Sequence, residues 1–88
     1  MEILFEKSFE KDLKKINAKK TKEQLRKIID EVREASCQNE IRNIKKIQGH
    51  STFYRIRLGD YRIGIEIIEN EVIFTRILHR KDIYRYFP

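Results

Sequence analysis

The chain has 88 residues, of which 40% are hydrophobic and 39% are charged, and its formal net charge is +6 at pH 7. This length predicts one domain over residues 1–88 with a single modest core. The positive charge favours a polyanionic partner such as nucleic acid, or an acidic protein. One cysteine and two histidines lack the spacing of a metal site, and no glycine-rich phosphate loop occurs. We therefore expect neither a metal nor a small-molecule cofactor.

The sequence predicts a cytoplasmic protein. The single cysteine, Cys37, cannot form a disulfide within the chain, and this favours a reducing compartment. No apolar run approaches the length of about 20 residues that crosses a bilayer. The N-terminus also lacks the charged and then apolar pattern of a signal peptide. We therefore expect no contact with a membrane.

Two amphipathic helices are predicted after a first strand at residues 2–6. Ser8 is placed to cap the first helix, and Thr21 followed by Gln24 has the spacing of a capping box for the second. Apolar residues recur at helical spacing in both segments, at Phe9, Leu13 and Ile16 and then at Leu25, Ile28, Ile29 and Val32. This periodicity predicts an antiparallel helical hairpin that packs on a sheet.

A meander of three antiparallel strands is predicted over residues 52–58, 61–68 and 71–78, joined by two-residue turns at 59–60 and 69–70. The first turn places Arg57 opposite Arg62 and Arg55 opposite Gly64. Like charges directly opposite each other cost stability, and arginine has the planar fork that suits phosphate. This face is predicted to bind an anion, although a solvated outer face is the alternative.

The second turn places Ile65 opposite Phe74 and Tyr61 opposite Leu78, on an apolar face that the helices should cover. The opposite face is predicted to carry Arg55, Arg57, Arg62, Gly64, Glu66, Ile73, Thr75, Ile77 and His79. Glu66 is interpreted as a counter-charge to the arginines. Arg76 falls on the apolar side in this register, which indicates a bulge, an end position whose charge reaches solvent, or an error in the turn.

Two further segments are candidates for contact with nucleic acid. Lys45 and Lys46 lie in a short basic segment, residues 43–48, where they could hold RNA or serve only as solubilising surface. The tail interleaves arginines, including Arg85, with tyrosines, and these residue types hold phosphate and stack on unpaired bases. Tyr84 and Phe87 could instead anchor the terminus in the core.

The segments YRIRLGDYR, residues 54–62, and HRKDIYR, residues 79–85, together resemble the RelE/ParE superfamily of toxins from type II toxin-antitoxin systems. The resemblance covers essentially the whole chain. It implies an α+β fold in which two N-terminal helices pack on one face of a twisted antiparallel sheet, in the order β-α-α-β-β-β, with the first strand at the edge. It also implies a cognate antitoxin as partner, normally a small acidic protein.

RelE-type members cut messenger RNA in the ribosomal A site without a metal, by attack of a ribose 2′-hydroxyl on the adjacent phosphate. The resemblance to this type implies the ribosome and messenger RNA as partners. By resemblance, Arg55 and Arg57 match two basic positions that hold phosphate. Arg62 matches the arginine that stabilises the phosphate, and Arg80 matches the arginine implicated in protonating the leaving group or stabilising its charge.

Three residues are candidates for the base that accepts the proton of the 2′-hydroxyl: Tyr86, Tyr84 and His79. Tyr86 falls close to the tyrosine proposed as base in the family, but a shift of the tail would place Tyr84 there. His79 is a competing proton shuttle, because its unperturbed pKa lies near neutrality. Two other functions are alternatives: a ParE-like inhibitor of DNA gyrase that acts as a binding module, and a degenerate member that binds RNA without cutting it.

Overall fold

Two helices cover one face of a five-stranded sheet in the computed structural model, which describes all of residues 1–88. In chain order the elements are β1 (Glu2–Phe5), α1 (Lys7–Lys14), α2 (Lys19–Glu34), β2 (Ile44–Lys46), β3 (Phe53–Leu58), β4 (Tyr61–Ile68), β5 (Glu71–His79) and α3 (Ile83–Tyr86). A short 3-10 turn at Gln38–Glu40 joins α2 to β2. The strand order is β1-β5-β4-β3-β2. The predicted α+β class, with the helical hairpin on one face, is confirmed.

The sheet differs from the predicted one in two respects. First, β1 lies at the edge but runs parallel to β5, with Glu2 opposite Glu71, so the sheet is mixed rather than wholly antiparallel. Second, the basic segment forms a fifth strand, β2, in which Ile44 lies opposite Ile56. With only three residues, two of them lysines, β2 is too short to show the alternation of a strand. Lysines are common on edge strands because they discourage further pairing.

The core lies between the helices and the sheet. Its buried side chains include Phe9, Ile16, Leu25 and Val32 from the helices and Ile56, Ile63, Ile65, Val72, Phe74 and Ile77 from the strands. Burial of each such side chain contributes about 1.5–3 kcal/mol. The apolar periodicity of both helices therefore identified the correct faces. None of the helices combines the length and the apolar character needed to span a membrane.

The predicted helix caps are wrong. Helix α1 begins at Lys7, after Glu6, and α2 begins at Lys19, before Thr21, and neither has a side-chain cap. The Ser8 hydroxyl instead donates to the carbonyl oxygen of Thr75 at 2.7 Å. The start of α1 is fixed by β1, because the Glu6 amide continues the strand pairing with a 3.0 Å bond to Phe74.

A β-bulge at Thr75 changes the faces of the last strand. Ile65 lies opposite Phe74, as predicted, but Gly64 lies opposite Arg76, so Thr75 is an extra residue in β5. The predicted pair of Tyr61 and Leu78 is therefore wrong, and Tyr61 lies opposite His79. Beyond the bulge, Ile77 turns into the core, and Arg76 and Leu78 turn to the outer face, the face not covered by α1 and α2.

The edge of β5 beyond the end of β1 is closed by Asp12 of α1. Its carboxylate accepts a 3.1 Å hydrogen bond from the amide of Ile77 and bonds of 2.7 and 3.0 Å from the guanidinium of Arg76. Asp12 is only 5% exposed. Its hydrogen bond raises the pKa of Arg76. Arg76 thus stabilises the fold at the bulge.

Candidate active site

A strip of arginines lies on the outer face where β3 and β4 meet their turn. Arg57 lies opposite Arg62, and Arg55 lies opposite Gly64, as predicted. The chain has three ion pairs, and none of them includes these arginines. Glu66, interpreted from the sequence as their counter-charge, forms no ion pair with them, and its carboxylate accepts a 2.8 Å hydrogen bond from the Thr52 hydroxyl. The strip therefore lacks an acidic partner within the chain.

Arg62 is the member held most closely by the backbone. Its Nη1 donates to the carbonyl oxygens of Gly59 and Tyr61 at 2.8 and 2.9 Å. Burial lowers the pKa of Arg62, and repulsion from Arg55, Arg57 and Arg80 lowers it further. We call these four residues, Arg55, Arg57, Arg62 and Arg80, the arginine cluster. An anion bound among them would relieve this repulsion.

Arg80 reaches the cluster because the end of β5 is tied to the turn between β3 and β4. Its amide donates a 2.7 Å hydrogen bond to the carbonyl oxygen of Asp60. This bond brings residues that are 20 positions apart in the sequence to the same end of the sheet. The predicted site residues Arg62 and Arg80 are thereby brought together.

Helix α3 packs on the outer face next to the arginine cluster. Ile83 and Phe87 are buried there, and the ring of Phe87 lies over Gly64. A Cβ atom on Gly64 would lie 2.7 Å from that ring, so only glycine leaves room for it. Phe53 packs edge-on against Phe87, with ring centroids 5.4 Å apart. The prediction that Phe87 anchors the tail agrees with this packing.

The two tail tyrosines point to different places. Tyr84 is 61% exposed, so it does not anchor the core. It lies beside the arginine cluster, because it lines the same surface recess as Arg55. Tyr86 lies over the side chain of Arg76, with Cζ 5.6 Å from the ring centroid. The structure therefore brings Tyr84, rather than Tyr86, to the arginines.

His79 does not lie on the face that carries Arg55, Arg57 and Arg62, and that predicted placement is wrong. Because of the bulge, it shares the helix-covered face with Tyr61, and the ring centroids of the two are 6.1 Å apart. Its Nδ1 accepts a 3.2 Å hydrogen bond from the amide of Lys81. Ile77, also predicted to lie on the face with the arginines, lies in the core for the same reason.

The remaining predicted phosphate-binding residues divide into two groups. Lys45 lies opposite Arg55 on β2, and Lys46 follows it. Both lysines line a surface recess beside Arg55 and Tyr84. Arg85 is exposed on α3 and forms no ion pair. The lysines thus extend the cationic surface towards the edge of the sheet, whereas the structure gives Arg85 no place in the cluster.

Comparison with known proteins identifies the family. The family model described as ParE toxin of type II toxin-antitoxin system, parDE, matches residues 3–84. The chain belongs to the RelE/ParE toxin family. It is 46% identical to Toxin RelE3 of Methanocaldococcus jannaschii over 89 residues, covering all of both chains.

Solved structures of RelE/ParE toxins share the fold. The chain resembles the toxin in the RelB-RelE antitoxin-toxin complex from Methanococcus jannaschii, with a TM-score of 0.82 and 46% identity over 97% of this chain and 99% of the other. It also resembles a chain of the archaeal RelE-RelB complex from Pyrococcus horikoshii OT3, with a TM-score of 0.73 and 20% identity over 90% and 93% of the two chains. The second likeness shows the fold alone.

Sequence reasoning missed three contributors to this RelE/ParE site. The packing of the tail over Gly64 was indicated by one feature of the sequence, a glycine in the middle of an isoleucine-rich strand. Alternation along the strands places Phe53 on the same face as Gly64, so its part in this packing could have been predicted. Gln48 lines the recess beside Tyr84, and no pattern in the sequence singles it out.

Proposed function

We propose that this chain is an endoribonuclease of the RelE type, which cleaves messenger RNA in the ribosomal A site. The observation that carries the proposal is the arginine cluster, four guanidinium groups gathered from two strands and the tail with no carboxylate paired to them. Arginine forks bind phosphate oxygens in pairs, and preorganised cations stabilise charge that develops on them. The scissile phosphate of an RNA strand is the anion we assign to this cluster.

In the proposed reaction the ribose 2′-oxygen attacks the adjacent phosphorus, and the bond from phosphorus to the 5′-oxygen breaks. The products are a 2′,3′-cyclic phosphate and a 5′-hydroxyl. Arg62, with Arg55 and Arg57, stabilises the pentavalent phosphorane, because the negative charge on the phosphate oxygens is greatest in that state. Arg80 stabilises the charge on the departing 5′-oxygen, which takes its proton from water. The hydroxide that this leaves takes back the proton that the base removed from the 2′-hydroxyl, so the base is restored.

We assign removal of the 2′-hydroxyl proton to the Tyr84 phenolate. Arginine side chains hardly exchange protons near neutral pH, so the cluster itself does not supply a base. Tyr84 is the tyrosine that lies beside Arg55 of the cluster, whereas Tyr86 lies over Arg76 and His79 lies on the other face.

We also propose that the chain is bound by an antitoxin. The M. jannaschii relative was solved as a RelB-RelE antitoxin-toxin complex. An exposed cationic surface with aromatic and aliphatic neighbours can accept carboxylates and apolar side chains together. An acidic antitoxin would therefore compete with RNA for the arginine cluster.

The test compares the wild-type chain, Arg62→Ala and a matched control, Arg26→Ala, which removes the same charge from exposed helix α2. Each is added to translating ribosomes, and cuts are mapped by primer extension. We expect cuts within A-site codons from the wild type and the control, and a rate about 10²–10³ lower for Arg62→Ala. Intact messages with the wild type would overturn the proposal, and a loss of gyrase supercoiling in a parallel assay would favour a ParE-like inhibitor.

A further inference from the structure

The turn between β3 and β4 presents three successive carbonyl oxygens to two arginines of the cluster. The carbonyl oxygens of Gly59 and Tyr61 accept hydrogen bonds of 2.8 and 2.9 Å from Nη1 of Arg62. Between them in the chain, the carbonyl oxygen of Asp60 accepts the 2.7 Å bond from the amide of Arg80. One short turn therefore contacts both residues to which we assign the phosphorane and the departing oxygen.

The two carbonyl bonds use only one nitrogen of the Arg62 guanidinium. Nη1 makes both bonds, whereas Nε and Nη2 donate to no atom of the chain. The edge formed by Nε and Nη2 is a planar fork with which arginine binds two oxygens at once. Arg76 uses this same edge on the Asp12 carboxylate, with bonds of 2.7 Å from Nε and 3.0 Å from Nη2. The turn thus holds Arg62 by a nitrogen that leaves the fork free for a phosphate.

The hold on Arg62 opposes the repulsion from the guanidinium of Arg57, which lies opposite it on β3. A free arginine side chain has many rotamers, and repulsion from a neighbouring cation favours those that point away. Carbonyl oxygens carry partial negative charge, so two of them at Nη1 favour the rotamer that stays over the turn. A cation fixed in advance stabilises the charge of a transition state without first having to move.

Gly59 gives the turn the conformation in which these carbonyl groups face Arg62. Its φ is +56°, and a Cβ atom added there would meet nothing within 4 Å. Backbone conformation, rather than space, therefore favours glycine at this position. The turn between β4 and β5 is also two residues long, and its first residue, Glu69, has φ +54°. That second turn repeats the backbone feature at a place where no arginine is held.

We propose that Gly59 is a positioning residue for the reaction: the carbonyl oxygens of its turn fix Arg62 so that the Nε and Nη2 edge meets the scissile phosphate. The inference rests on the proposed function, because the phosphate belongs to the RNA that the chain cleaves. Gly59 acts through Arg62 and carries no charge of its own. Its substitution should therefore slow the chemical step and leave charge-driven binding to the ribosome unchanged.

The kinetic test compares Gly59→Val with Glu69→Val on translating ribosomes. Valine is strained at positive φ in both turns, but only the first turn holds an arginine. We expect Gly59→Val to lower the cleavage rate at saturating ribosomes by about tenfold to a hundredfold, while the ribosome concentration for half-maximal rate changes less than about twofold. Glu69→Val should keep the wild-type rate. Equal losses in the two variants would overturn the proposal, because strain in either turn would then explain them.

Gly59→Asn is the conservative variant. Asparagine is similar in size to valine but adopts positive φ more readily, because its short polar side chain bonds to the local backbone. Cleavage by Gly59→Asn should therefore stay within about threefold of the wild type. A loss as large as that of Gly59→Val would mean that a side chain at this position is itself harmful, and the inference would be wrong.

A second measurement follows the guanidinium groups directly, in the ¹⁵N-labelled full chain without ribosomes. A guanidinium nitrogen held by hydrogen bonds rotates slowly about its bond to Cζ, so its two protons give separate signals. We expect separate Nη1 signals from Arg62 in the wild type and in Gly59→Asn, and averaged signals in Gly59→Val. Arg76, bound to Asp12, is the reference for a held group, and exposed Arg57 is the reference for a free one.

Titration with dimethyl phosphate, a phosphodiester monoanion, then tests the free edge. The Nε signal of Arg62 should move, and its Nη1 signals should stay separate. Averaged Nη1 signals in the wild-type chain would overturn the proposal. Nη1 signals that merge as the phosphate binds would overturn it as well, because the carbonyl bonds would then compete with the phosphate instead of presenting Arg62 to it.

Failure of this inference is distinct from failure of the proposed activity, because the titration involves no cleavage. A chain that cuts messages but shows averaged Arg62 signals refutes the positioning role of the turn alone. Separate Nη1 signals with a moved Nε signal, in a chain that leaves messages intact, support the hold on Arg62 as part of a phosphate site and refute the cleavage.

Discussion

The face of the sheet that α1 and α2 cover has an apolar centre, whereas the outer face is divided between arginines and a small aromatic patch. On the covered face, Ile56, Ile63 and Phe74 are completely buried. On the outer face, Arg57 and Arg62 lie opposite each other with no acidic partner. The folding free energy is therefore concentrated on one face, and the other tolerates a pair of like charges that costs stability.

The outer face is nevertheless not without packing. Phe53 and Phe87 meet over Gly64 and hold α3, which carries Tyr84 to the arginines. The two faces thus differ in what their packing serves. The large core stabilises the whole chain, and the small patch fixes the position of a short segment. Substitutions on the two faces should therefore affect different properties.

The largest expected effect is the loss of a core ring. Phe74→Ala removes a buried side chain whose ring packs 5.2 Å from Phe5 and 5.5 Å from Phe9, and should lower the free energy of unfolding by about 3–5 kcal/mol. Urea denaturation measures the change. Leu4→Ala, an exposed aliphatic side chain on β1, is the control. Equal losses for the two variants would contradict the contrast between buried and exposed apolar groups.

The next largest effect is expected at the edge of β5. Asp12→Ala leaves the Arg76 guanidinium and the Ile77 amide without their acceptor, which should cost about 3 kcal/mol in urea denaturation. Asp12→Asn retains one acceptor oxygen and should lose less. An unchanged midpoint for Asp12→Ala would show that the edge is closed by something other than this carboxylate.

Gly64→Ala tests the aromatic patch on the outer face. The added methyl group would collide with the Phe87 ring, so the unfolding free energy should fall by about 1–3 kcal/mol. RNA cleavage should fall as well, because α3 and Tyr84 are displaced. Adding Phe87→Leu in the same chain should restore part of both losses, measured by denaturation and by the ribosome assay. No recovery in the double variant would mean that Gly64 matters for a reason other than its contact with the Phe87 ring.

The smallest effect on stability, and one of opposite sign, is expected within the arginine strip. Arg62→Ala removes a charge opposite Arg57 and should raise the free energy of unfolding by about 0.2–1 kcal/mol at low salt. The gain should shrink as salt screens the repulsion. Thermal melting at two salt concentrations checks this. A clear loss of cooperative melting would mean that Arg62 also supports the fold.

Local sequence patterns were sufficient for the hairpin of β3 and β4. Its turn is two residues long and begins at Gly59, whose φ of +56° suits glycine, so every cross-strand pair follows from counting. The helix faces followed from periodicity for the same reason. These features depend on residues that are close together in the chain.

Features that depend on distant residues could not be predicted. The bulge at Thr75 is bound to Asp12, more than 60 residues earlier, and its only signal was Arg76 on the apolar side of the predicted register. The choice between Tyr84 and Tyr86 depends on which side of α3 meets Gly64. The misplaced His79 follows from the bulge, since one extra residue reverses the face of every side chain beyond it.

The 2.7 Å hydrogen bond from the Arg80 amide to Asp60 also makes assembly of the site measurable over time. This amide is protected from exchange with deuterated water only while the end of β5 is joined to the β3–β4 turn. The exchange rate of this single amide therefore measures how often the end of β5 separates from the β3–β4 turn and the arginine cluster is disrupted. Comparison with the amide of Ile77, bonded to Asp12, distinguishes opening of the site from opening of the sheet edge.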